Sequence, residues 1–137
     1  MDNFEKVKHY LMELNYDIIH EDVEDQLVLI NKEDEGIKNM VIDCEDPILI
    51  IEQFLFNVKT ESIDLFKSLL MKNREIVHGA FVIDETGNRV LFRDTLQLDT
   101  LDIEELEATL TSLTLLLNEY YDEIIAFSKG EFKPVTA

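Results

Sequence analysis

The stretch from Ala80 to Leu106, AFVIDETGNRVLFRDTLQLDTLDIEEL, constrains the fold more than any other part of the chain. It reads as a β-hairpin that passes through a short capped loop into a long helix. Two alternating strands meet at Glu85-Thr86-Gly87-Asn88, where Gly87 and Asn88 are expected to supply the positive φ of a tight reversal. On the second strand Val90, Phe92, Leu96 and Leu98 share one face, and Arg89, Arg93, Thr95 and Gln97 share the other. Asp94 interrupts the apolar face. This alternation predicts a sheet packed on one side and open to water on the other.

The helix that follows has the clearest start in the sequence. Asp102 stands as N-cap, Glu105 is three residues on, and Leu101 and Leu106 flank them at the stapling positions. From there Leu106, Leu110, Leu113, Leu117, Tyr120, Ile124 and Phe127 recur at alternating four- and three-residue steps, widened by Leu115, Leu116 and Ile125. The heptads are too few for a separate coiled coil, so one amphipathic helix laid over the sheet is expected. Between Arg93 and Lys129 there are nine acids and no base, which gives this helix an acidic outer face.

The first half predicts a helix over 3–14, with Phe4, Val7, Leu11 and Leu14 inward and Asp2 with Glu5 as capping pair. Strands follow over 16–20, 26–31, 38–43 and 48–58, separated by an acidic turn at 21–25, a turn at 32–36 and a third at Cys44-Glu45-Asp46-Pro47. The fourth, ILIIEQFLFNV, is the most β-prone run in the chain and is expected to be central or covered. Its break at Glu52-Gln53 leaves three readings open: a polar face, a bulge, or a charge set against mispairing. A second helix is predicted over 62–77, with Ile63, Phe66, Leu69, Leu70, Ile76 and Val77 on its apolar side. Asn73 lies on that side too, where a buried carboxamide ties down a neighbouring loop. Gly79 is placed as the left-handed residue just past the helix. Without repeats or linkers, residues 1–129 form one α+β domain: helix, three to four antiparallel strands, helix, hairpin and long C-terminal helix. Residues 130–137 are expected to be a loose tail.

Composition excludes several functions. Thirty acids against 12 bases give a net charge of −18, a field that repels nucleic acid and anionic membranes and favours a basic polypeptide or a cation. A lone cysteine, Cys44, allows no internal disulfide and suits a reducing compartment. The N-terminus lacks the apolar core of a signal peptide and no run is long enough to span a membrane, so a cytoplasmic protein is expected.

No constellation of residues suggests catalysis. Asp43, Cys44, Glu45 and Asp46 crowd one turn without the spacing of a calcium loop, and His9, His20 and His78 fall in separate elements. Acidic neighbours raise the thiol pKa of Cys44, the wrong direction for a nucleophile. The four glycines are scattered at 36, 79, 87 and 130, so no loop cradles phosphate. A non-enzyme without metal or cofactor is the expectation. What remains is apolar surface for another chain, set against the alternative that the helices cover all of it. The candidate self- or partner-contact residues are Leu65, Phe66, Leu69 and Leu70 on the second helix and Phe54 and Phe56 on the fourth strand.

The segment from about Ser62 to Leu113, LFKSLLMKNREIVHGAFVIDETGNRVLFRDTLQLDTLDIEELEATLTSL at its most specific, resembles the type III secretion chaperones of the Tir-chaperone type and the related YbjN-domain proteins. The shared features are a second helix closing in asparagine, a D-x-x-G hairpin, an L-x-L strand end and a final helix with E-E-L. On that match Asn73, Gly79, Asp84, Gly87, Leu96, Leu98 and Leu106 take structural positions. The resemblance implies small acidic homodimers of the cytoplasm that hold an extended segment of a secreted polypeptide and use no cofactor. A stand-alone regulatory or structural protein of the same fold is the alternative.

Overall fold

The computed structural model describes residues 1–131. Six antiparallel strands form one open sheet in the order β1-β2-β3-β4-β6-β5: β1 Asp17–Asp22, β2 Leu27–Lys32, β3 Ile37–Glu45, β4 Ile48–Asn57, β5 Ala80–Ile83 and β6 Arg89–Gln97. Four helices complete the fold, α1 Asn3–Glu13, α2 Ile63–Asn73, α3 Ile103–Glu119 and α4 Tyr121–Ser128. β4 lies between β3 and β6, so the most aggregation-prone run is central.

Period-two alternation divides the sheet into two unlike faces. Inward residues Val28, Ile30, Met40, Ile42, Leu49, Ile51, Val90 and Phe92 are fully buried, and α1, α3 and α4 pack on them through Val7, Leu11, Leu106, Leu110, Leu113 and Phe127. The outward rows run Leu27–Asp43–Ile50–Thr95 and Leu29–Val41–Glu52–Arg93 across the strands, half-buried apart from the exposed Thr95 and without a helical cover among the described residues. α2 lies over β5 and joins the core through Leu65 and Leu69. The break at Glu52-Gln53 is therefore two things. Glu52 is on the outer face, ion-paired with Arg93 at 2.7 Å, whereas Gln53 is buried and hydrogen-bonded.

Local chemistry sets the element ends. Asp2 and Asp102 each accept the backbone N–H three residues on at 2.8 Å, and Ser62 caps α2 by accepting from Asp64 N–H at 3.1 Å. Gly87 has φ +77, the conformation its turn needs, but Asn88 is not left-handed.

Three expectations change. The stripe from Leu106 to Phe127 is not one helix: it breaks at Tyr120 (φ −108°), and α4 carries Phe127 onto Phe56 at 6.1 Å between ring centroids. Lys72, ion-paired with Glu123 and lying over the Tyr120 and Phe127 rings, ties α4 to α2. α2 ends at Asn73, four residues before the predicted end, because the Asn73 side chain turns back onto Phe81. Gly79 is consequently not the cap of α2; its φ of +84 carries the chain past Phe92, whose ring occupies the space a Cβ would need. Of the expected tail, Gly130 and Glu131 still bond back to Phe127 and Ala126, and residues 132–137 lie outside the described residues.

Candidate binding surface

Each contact residue expected from the sequence has a definite place in this architecture. On α2, Leu65 and Leu69 are 1% and 5% exposed, so they belong to the core and cannot form an outer surface of the protomer. The helix turns them inward because they are four apart on the face that meets β5. Phe66 is half-buried, and Leu70, 67% exposed, is the free residue of the predicted set. Ile63 and Met71, also exposed, extend that outward apolar strip; helical periodicity alone places Ile63 on the inward side and does not single out Met71. On β4 the alternation separates the two phenylalanines. Phe56 is buried against Phe127, whereas Phe54 is 41% exposed on the outer face with the Arg89 guanidinium 4.7 Å above its ring.

The structural residues form a connected frame around the hairpin. Asn73 Nδ2 donates to Phe81 O at 3.1 Å and its Oδ1 accepts from Phe81 N–H at 2.8 Å. Asp84 accepts from the Thr86 hydroxyl at 2.6 Å and from its amide, and these bonds together with Arg89 hold its carboxyl below the usual carboxylate range. Asp94, the acid on the apolar face, accepts from the buried Thr109 hydroxyl of α3 at 2.8 Å.

The outer sheet face is left without a helical cover among the described residues. Its apolar residues, Leu27, Leu29, Val41, Ile48 and Ile50, are all half-buried, flanked by neighbouring strands alone. Asp43 lies among them with its Oδ1 fully buried and unbonded. Burial, with Glu45, Asp25 and Glu52 nearby, pushes its carboxyl up to about 6, and once protonated it can share that proton with Glu45. Cys44, one residue on, faces the core, and burial followed by the Asp43 charge pushes its thiol up to about 11. His9, His20 and His78 are exposed in separate elements, and among the described residues no group of three or more His, Cys, Asp or Glu is arranged to hold a metal ion. No helix is long and apolar enough to cross a membrane among those residues.

A second opening is not legible in the sequence. β3 and β4 part beyond the pair Val41↔Glu52, and a cleft of about 1000 Å³ opens between them, bounded by Val41, Phe54 and Leu55 and reaching Leu117 of α3 and Ile124 of α4. The cause is local. Asn39 takes φ +49 and turns β3 aside, and Gln53 spans the gap by accepting from Lys38 N–H at 3.0 Å and donating to Gly36 O at 2.9 Å. The one signal of it in the sequence is the polar pair Glu52-Gln53 in an apolar run.

Solved structures with this arrangement are known. YbjN from E. coli superposes with a TM-score of 0.63 at 13% identity, covering 86% of this chain and 92% of that one. A chain of the HopA1–SchA chaperone–effector complex gives 0.64 at 12% identity, covering 89% and 98%. A chain of the complex between the Yersinia pestis type III secretion chaperone SycH and a stable fragment of YscM2 gives 0.61 at 16% identity, covering 93% and 100%. At such identities the likeness is one of fold. No curated protein matches the sequence significantly. The CesT_Tir_1 family model matches residues 1–130, and with nearly the whole chain inside that match the protein belongs to the CesT_Tir_1 family, that of the type III secretion chaperones.

Proposed function

We propose that this chain is a non-catalytic, chaperone-like binding module of the cytoplasm that holds an extended segment of a partner polypeptide. The observation that carries the reading is the one-sided sheet: helices cover the inner face, and a half-buried apolar outer face is left beside exposed acidic surface. The −18 charge steers basic polypeptides toward it and repels phosphate backbones. SycH and the HopA1–SchA pair were both solved as complexes with other polypeptides, which supports the same use here. We further propose a homodimer, with the strip Ile63, Leu70 and Met71 of α2 as the self-contact. A second reading, a stand-alone regulatory or structural protein of this fold, rests on the likeness to YbjN.

The test is recovery of the full chain from its native cytoplasm, with the eluted complex sized by light scattering and any companion mapped by limited proteolysis. A stoichiometric companion with one protected extended segment supports the binding reading. A clean monomer or dimer with nothing bound supports the second.

A further inference from the structure

The cleft between β3 and β4 has a property that the outer face lacks. Among the described residues, β4 continues from Gln53 to Asn57 with β6 as its only strand neighbour, in the pairs Gln53↔Phe92, Phe54↔Leu91, Phe56↔Val90 and Asn57↔Arg89. Pairing with β6 uses one edge of this stretch, and among the described residues no strand pairs with the other, on the side that β3 leaves. An interior strand of the sheet therefore has an open edge, five residues and about 17 Å long. Side chains complete the groove: Val41 on one wall, Phe54 and Leu55 on the other, and Leu117 and Ile124 showing through from the helical layer.

We propose that this cleft receives one extended strand of a partner polypeptide, paired to Gln53–Asn57 through main-chain hydrogen bonds, with an apolar side chain directed at Leu117 and Ile124. The proposal rests on the binding reading above and gives it a place and a chemistry. A row of main-chain donors and acceptors is matched by another backbone. Charge selects the kind of segment. Lys38 and Arg89 balance Glu33 and Glu52 around the cleft, so a run of lysines or arginines gains nothing here that the acidic surface elsewhere does not offer. The occupant is a neutral, apolar-alternating segment. Basic flanks outside the cleft are compatible with it.

The experiment uses the full chain and twelve-residue peptides selected against it from a displayed random library. The tightest peptide is synthesised, and amide hydrogen exchange of the chain is measured with and without it. Protection is expected at alternate amides within 53–57. N-methylation at every second peptide position on one edge should weaken binding tenfold or more, and at the intervening positions should not. Phe54→Ser, at an exposed site that leaves the fold intact, should weaken it severalfold. Peptide protection at β1 or on α2, indifference to N-methylation, or failure to select any peptide overturns the proposal. So does protection of these amides in the free chain: if it rises with protein concentration the occupant is a second copy, and if it does not the occupant is the chain's own terminal segment. When a native companion is recovered but the peptide maps elsewhere, the cleft proposal falls and the binding reading stands. When neither companion nor peptide binds, both fall.

Discussion

Asn73 and Phe81 exchange two hydrogen bonds through one carboxamide, 3.1 Å from Nδ2 to the Phe81 carbonyl and 2.8 Å from its amide to Oδ1. The last residue of α2 thereby behaves as a substitute strand neighbour for β5, a four-residue edge that would otherwise show bare main-chain groups. This clasp fixes where the helix ends and where the hairpin begins.

Removing it should be costly. Asn73→Ala leaves two half-buried backbone groups unpaired, and a loss of about 2 kcal/mol is expected. Denaturant unfolding measures the loss, and faster hydrogen exchange at the Phe81 amide localises it. An unchanged midpoint would show that water replaces the carboxamide without penalty.

Two glycines with the same backbone sign should respond differently. At Gly79 a Cβ meets the Phe92 ring, so Gly79→Ala combines overpacking with a strained φ and should cost roughly 3 kcal/mol. At Gly87 nothing lies within 4 Å, and Gly87→Ala should cost only the conformational part, about 1 kcal/mol. Thermal unfolding of the pair checks the ranking, and equal losses would mean that the Phe92 ring can move aside.

On α2, neighbouring leucines separate folding from association. Leu69→Lys places a charge in the core and should unfold the protomer, a loss of about 4 kcal/mol or more. Leu70→Lys changes an exposed position and should leave the melting temperature within a few degrees. If the α2 strip is the self-contact, light scattering of Leu70→Lys should give a monomer mass. A dimer of unchanged stability would remove α2 from the interface.

Asp43 should make stability depend on pH with the sign opposite to that of a salt-bridged acid. Its folded pKa of about 6 lies above the unfolded value of about 3.9, so its stabilising contribution is complete below pH 4 and is lost as pH rises through 6. Asp43→Asn should therefore stabilise the protein at pH 7, by about 1 kcal/mol after discounting for partial exposure, and should make no difference at pH 4. Denaturation of both proteins at the two pH values isolates the effect from that of the other acids. A wild-type advantage at pH 7 would place an unseen donor on Oδ1.

Much of the architecture is legible because it is written in local periodicities. The alternation of β2, β3 and β6, the Asp102 cap with its stapling leucines, and the central place of ILIIEQFLFNV all follow from side-chain spacing and solubility, and they lead to the correct fold class. The contact residues are less legible. A 3.6-residue period places Leu65, Leu69 and Leu70 near one another on a helix but does not say which of them the sheet will cover, since that depends on the angle at which α2 meets β5. The same limit hides the break at Tyr120: its residues form a continuous stripe, and the contacts that tie α4 down, Lys72 with Glu123 and Phe56 with Phe127, join residues far apart in the chain.

By itself, then, the sequence determined the strands, the starts of the first three helices, the one-sided sheet, the acidic surface and the family, because each rests on interactions between residues close in the chain or on summed composition. Tertiary structure alone decided which apolar residues remain outside, where β3 leaves β4, and that Asp43 is held with a buried, unbonded oxygen. Those outcomes depend on pairs distant in sequence, such as Gln53 with Gly36 and Glu52 with Arg93, whose meeting is set by strand register and helix docking rather than by any local pattern.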